Sequence, residues 1–183
     1  MRHYSSKYTT TWAVAVVLLN TAMVIGQEPK AAEALTEFKS EEGRFSIRLP
    51  GKPEHEVVEV GTDKGKQHQF TLDLGRGAYL ISYQDNPKLE GSTPKQIAAA
   101  LEVGRDQLKK TFQGELLESK TLTLDKKHPG LDSRWTIPDA NGEARCRFYM
   151  VGTRLYQIMA IGVPEFANSD EAKQVIESFK VMK

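Results

Sequence analysis

Ser133-Arg-Trp-Thr-Ile137, Glu143-Ala-Arg-Cys-Arg-Phe-Tyr-Met-Val151 and Leu155-Tyr-Gln-Ile-Met-Ala-Ile-Gly-Val163 are three runs of strand-forming residues separated by turns that contain Asn141-Gly142 and Gly152-Thr153. Such turn pairs supply the positive φ that tight hairpins need, so the short loops impose antiparallel pairing on all three runs. Side chains alternate across a strand. Placing Pro138 opposite Glu143 and Val151 opposite Arg154 therefore puts Trp135, Ile137, Ala144, Cys146, Phe148, Met150, Leu155, Met159 and Ile161 on one side. The other side carries Arg134, Arg145, Arg147, Tyr149, Tyr156, Ile158 and Ala160. Neither is a plain solvated face, so the meander needs a cover on both sides.

Two helices are available to supply it. Thr93-Pro94-Lys95-Gln96 joins a capping hydroxyl, a proline at the first helical position and a glutamine at the third, followed by a stripe of Ile97, Leu101, Leu108 and Phe112. Asn168 with Glu171 opens a last helix whose Ala172, Val175, Ile176 and Phe179 form one apolar stripe. Between the helices Gly114 breaks the first, and residues 116–124 read as a strand that ends before Lys126-Lys127-His128-Pro129-Gly130.

Upstream, Phe45, Ile47 and Leu49 alternate with Ser46 and Arg48 until Pro50-Gly51 closes the strand. Residues 55–60 and 66–74 flank Gly61-Thr-Asp-Lys-Gly65 as a hairpin. With Val60 opposite Lys66, Val58 and Val60 share a face with His68, Phe70, Leu72 and Leu74, and His55 lies on the other face. Residues 78–84 form a further strand, stopped by Asp85-Asn86-Pro87. The expected fold is a single α+β domain over residues 41–183: a largely antiparallel sheet flanked by two main helices, an α/β/α sandwich.

The beginning of the chain bears on compartment. Arg2, His3 and Lys7 precede an apolar run from Trp12 to Ile25, and Val24 and Gly26 are small enough for a signal peptidase. The run is interrupted by Asn20 and Thr21 and is shorter than the roughly 20 residues a bilayer span requires. Residues 1–26 therefore read as a signal peptide, with an uncleaved anchor as the alternative. Cleavage leaves no membrane span and points to a periplasmic or extracellular protein. Residues 27–40, rich in Ala, Glu, Lys and Gln, read as a flexible tether.

Charge narrows the partners. The 25 basic and 24 acidic residues become 23 and 24 when Arg2 and Lys7 leave with the signal, a net charge of −1. That gives no electrostatic footprint for nucleic acid. One cysteine, Cys146, cannot form an intramolecular disulfide, so stability must come from burial.

Chemistry-bearing motifs are few. His55, His68 and His128 lack the i, i+4 spacing of a helical metal site and no cysteine pair exists, so no metal site and no cofactor are expected. Cys146, between apolar neighbours, reads as a small core residue. Gly-x-Ser-x-Gly is missing, and Gly61-Thr-Asp-Lys-Gly65-Lys66 has three residues between its glycines where a phosphate loop needs four, so no catalytic residue is named. Arg134, Arg145 and Arg147 remain, with Arg134 set opposite Arg147. Like charges facing each other are unfavourable. They need internal acids such as Asp132 or Glu143 and helix carboxylates, or else an anionic ligand or partner. Tyr149 and Tyr156 would rim such a binding surface.

Phe38, Gly43-Arg-Phe-Ser-Ile-Arg-Leu-Pro-Gly51 and the closing Ser178-Phe-Lys-Val181, in this order of elements, resemble the PsbP-like superfamily over about residues 38–183. That family includes extrinsic subunits of photosystem II, bacterial proteins of unknown role and a Ran-binding import factor. The resemblance implies an extracytoplasmic or lumenal α/β/α sandwich acting as a binding or assembly accessory. It carries over no catalytic residue and no metal ligand. Two readings follow: a non-enzymatic binding or assembly module of the cell envelope with an unknown protein partner, or a carrier or enzyme for a small anion using the Arg134, Arg145 and Arg147 face. Arginines paired internally on a flat face oppose the second; a pocket with an unpaired carboxylate beside them supports it.

Overall fold

The structure is a computed structural model that describes residues 34–61 and 65–182. Its centre is a seven-stranded antiparallel sheet built from two meanders. The first comprises β3 (Glu54–Val60), β4 (Gly65–Asp73) and β5 (Gly77–Asp85). The second comprises β6 (Leu116–Leu124), β7 (His128–Ile137), β8 (Gly142–Val151) and β9 (Arg154–Gly162). Helix α1 (Pro94–Phe112) carries the chain between them, and β9 returns beside β5, giving the order β3-β4-β5-β9-β8-β7-β6. A separate three-stranded sheet joins β1 (Thr36–Ser40), β2 (Phe45–Leu49) and β10 (Lys180–Val181). Two short helices, α2 (Pro164–Ala167) and α3 (Asp170–Glu177), precede β10.

The two faces expected of the last meander exist as two cores. Leu131, Trp135, Cys146, Phe148 and Met159 pack under Ile97, Leu101, Leu108 and Phe112 of α1. Tyr79, Ile81, Tyr149, Tyr156 and Ile158 face Phe45, Ile47 and Leu49 of β2 together with Val175, Ile176 and Phe179. Helix α1 starts as its residues dictate: the Thr93 hydroxyl accepts from the Gln96 amide while the Gln96 side chain accepts from the Thr93 N–H. It ends at Gln113, in the left-handed region at φ 50°. Gly114 follows because a Cβ there would lie 1.8 Å from the Thr136 carbonyl oxygen.

Several expectations are corrected. The second face is covered by the three-stranded sheet and the short helices, so one main helix flanks the seven-stranded sheet instead of two. The Phe45 strand belongs to that small sheet. Residues 36–40 of the expected tether are β1, because Phe38 packs on Phe45 and Phe70 with ring centroids 6.2 and 5.4 Å apart. The last helix is capped by Ser169, whose hydroxyl accepts from the Ala172 amide, and Asn168 instead ends α2. His128, Pro129 and Gly130 lie in β7, since the chain turns earlier at Asp125 and Lys126, both with positive φ. The signal peptide expected at residues 1–26 and the expected tether up to residue 33 lie outside the described residues.

Two hairpin registers also differ. Val60 pairs with Gly65, so His55 faces Phe70 and shares a face with His68 instead of opposing it. Ile137 pairs with Gly142, a shift of two residues that preserves both faces but changes every cross-strand partner. The cause is Pro138: it opens a 3-10 turn over Pro138–Ala140, which places Gly142 in the strand and not in the loop.

Candidate functional site

The arginine face is the first candidate, and the observed register rearranges it. Arg134 is opposite Arg145, and Arg147 is opposite Asp132. Asp132 is almost wholly buried, with its side chain 3% exposed, and accepts from Arg147 Nε at 2.7 Å and from Arg145 Nη2 at 3.3 Å. Arg147 Nη2 also lies 3.6 Å from Glu177 of α3. Arg134 donates to Glu143 at 3.0 Å, and Asn168 donates to the same carboxylate oxygen at 2.8 Å. Burial is the largest single influence on Arg147 and opposes its charge, but the bonds and attraction of Asp132 and Tyr149 together outweigh it and raise its pKa. Asn168 and Arg134 hold the Glu143 carboxyl below its ordinary value against partial burial.

Tyr149 lies beside this face, its hydroxyl oxygen accepting from Arg147, whereas Tyr156 is bonded to Arg154. They are 4% and 1% exposed, and both contact Phe179, which stacks on Tyr149 at 5.7 Å. The Tyr156 hydroxyl donates to the Gly43 carbonyl at 2.8 Å and so ties β9 to the small sheet. Ser178 does the same from the other end, accepting from the Arg48 amide and donating to the Val175 carbonyl. The Gly43 to Leu49 and Ser178 to Val181 segments are thus one docked unit. Of the five candidate residues, the structure brings the three arginines together around acids, sets the buried Tyr149 against Arg147 and places Tyr156 in the core.

A second constellation follows from the observed pairing of β3 with β4. On the face of β3, β4 and β5 toward the small sheet, His55 Nε2 lies 3.3 Å from His68 Nδ1, one ring donating and the other accepting. His55 stacks on Phe70 at 4.4 Å and His68 on Tyr83 at 4.5 Å. Arg154 covers Tyr83 at 4.6 Å, holds Asp85 with two bonds of 2.7 and 2.8 Å, and donates to the Glu42 carbonyl. Burial keeps His68 below its ordinary 6.5, against the attraction of Glu42 3.6 Å away. Burial also pushes Tyr83 up to about 12. Among the described residues no three ligating side chains form a metal-holding group.

A third feature is a sheet edge. β6 is the end strand of the large sheet, and its Leu116 and Leu117 are 40% and 47% exposed. The sequence identifies the strand but not its place in the order, which the crossover through α1 decides.

No family model matches the chain, and no curated protein sequence matches it. Solved structures do. The solution structure of cyanobacterial PsbP (CyanoP) from Synechocystis sp. PCC 6803 superposes with a TM-score of 0.59 at 13% identity, covering 89% of this chain and 98% of that one. A Bacteroides thetaiotaomicron crystal structure gives a TM-score of 0.36 at 16% identity over 80% of this chain and 48% of that one. A Pseudomonas aeruginosa protein of unknown function, PA94, gives 0.36 at 11% identity over 71% and 83%. The first of these shows that the chain has a PsbP-like fold.

Proposed function

We propose that this protein is an exported, non-enzymatic binding or assembly module of the cell envelope, with the periplasm or the outside of the cell as its compartment. The observation that carries this reading is the free edge of β6, where two leucines stand in water on a strand with one side unpaired among the described residues. An exposed apolar edge is a liability unless something uses it. The signal-type segment at residues 1–26 supports export, and the PsbP-like fold supports the finer description of a layered accessory domain. No described helix is long and apolar enough to cross a membrane.

The anion-carrier or enzyme reading needs free guanidiniums on the arginine face. Asp132, Glu143 and Glu177 engage all three arginines, which weighs against it. The test is affinity capture from an envelope extract by the tagged protein and by a Leu117→Lys variant of unchanged thermal stability. A partner retained by the first and lost by the second is expected. Equal capture by both, or a tagged protein confined to the cytoplasm with residues 1–26 intact, would overturn the reading.

A further inference from the structure

We infer that β6 accepts an extended segment of a partner protein as an additional strand, with a lysine side chain of that segment seated in the groove between α1 and the β6–β7 hairpin. The inference rests on the binding-module reading and names the chemistry of the partner.

The two ends of the large sheet are protected differently. β3 carries Glu54, Glu56 and Glu59, three charges along seven residues. β6 has no proline, and its only irregularity falls at its start, between Leu116 and Glu118. From Thr121 to Leu124 it bears no charge. Charge, proline and bulges are the usual means of blocking edge pairing, and this half of β6 has none of them.

A groove adjoins that half. It encloses about 420 Å³ between Ala98, Leu101 and Glu102 of α1 and Thr121, Pro129 and Leu131 of the hairpin. Its floor is apolar, because Leu101 and Leu131 belong to the core. Its rim carries one carboxylate, Glu102, which has no ion pair among the described residues. The nearby Arg105 does not neutralise it, being held by Asp106 at 2.7 Å and bonded to Ser119 at 3.2 Å.

Thr121 and Leu131 are register partners, and Leu131 in turn pairs with Phe148, so this row lies on the α1 side of the sheet. A strand added outside β6 turns every second side chain to that same side. The side chain that suits the groove has a long apolar stem for Leu101 and Leu131 and a single cationic head for Glu102. Lysine has that form, burying its methylenes while its ammonium stays at the wet rim. Glu102 repels an acidic side chain, and a short one leaves the groove unfilled. Main-chain pairing supplies the affinity and the groove supplies the selectivity.

The test uses the isotope-labelled protein recovered from the envelope fraction and a capped peptide of alternating threonine and valine with one central lysine. The peptide should shift the amide signals of residues 98–105 and 119–124. Replacing its lysine by norleucine should weaken binding about threefold, the effect of one exposed ion pair. Glu102→Gln should bring the lysine peptide to the norleucine level, and N-methylation of the pairing amides should abolish binding. The proposal is overturned if the lysine peptide leaves those signals unmoved, if norleucine binds equally well, or if hexylammonium alone binds as tightly as the peptide. A partner captured through Leu117 alongside a failed peptide would sink this inference and leave the binding-module reading standing.

Discussion

Asp132→Ala tests whether the arginine face is structural. Asp132 is buried and is the one carboxylate among the described residues bonded to Arg145, so its removal leaves that guanidinium, 14% exposed, without this counter-ion. Arg147, 13% exposed, keeps Glu177 at 3.6 Å and its bond to Tyr149. Breaking a buried ion pair by deleting one partner costs about 3–5 kcal/mol. The Glu177 contact and the residual solvent access place this case at the lower end, about 3 kcal/mol. For a domain of this size that corresponds to a fall in Tm of roughly 6–12 °C. Urea unfolding of the purified protein measures the loss directly. A second variant that also carries Arg145→Met and Arg147→Met removes the stranded charges and should recover at least half of it. A loss below about 1 kcal/mol, or a triple variant no more stable than the single one, would refute the reasoning and return the arginines to the surface as a ligand site.

Trp135→Ala should cost about 3–5 kcal/mol by urea denaturation, because the indole is fully buried against Phe112 and bonded to Ser133; a loss under about 1 kcal/mol would contradict its core position. Cys146 is fully buried and burial raises its thiol pKa well above the ordinary value, so a thiol reagent should label it only in denaturant. Rapid labelling of the folded protein at neutral pH would contradict that. Acid should destabilise the fold in two stages. Folding favours neutral His68, so that contribution is complete above pH 6.5 and declines below it; the lowered pKa values of Asp85 and Glu143 add stability that is lost as the pH falls through their folded values. His68→Phe should flatten the upper stage alone in unfolding curves taken from pH 7 to 3, and a slope unchanged in that variant would exclude the histidine.

Helix α1 was legible because Thr93, Pro94 and Gln96 act within one turn, where no tertiary contact is needed to decide the outcome. The two faces of the last meander were legible for a different reason: side-chain parity survives a register shift of two residues. The His55 and His68 pair was not legible. Two glycines at 61 and 65 are compatible by sequence with more than one hairpin register, and β4 alternates amides with His68 and Phe70, so its pattern does not decide between registers one residue apart. Phe38 reads as tether because one aromatic in a polar stretch has no local partner; its partners, Phe45 and Phe70, come from two other strands. The edge position of β6 depends on the crossover, which no local spacing encodes.

Burial alone does not choose between the two registers available to β7 and β8. Shifting by two residues keeps Trp135, Cys146 and Phe148 on the α1 side and the arginines on the other, so the hydrophobic contribution is similar in both. The charges differ. In the shifted register Arg134 would face Arg147, and Asp132 would face Tyr149 with no guanidinium across from it. In the observed one Asp132 sits across from Arg147 and within reach of Arg145, while Glu143 takes Arg134. The acid pair is what the arginine cluster needs and what the meander needs to fix its pairing. The most conspicuous charged cluster in the sequence is therefore accounted for by register selection, and the free edge of β6 is left as the surface on which recognition is to be sought.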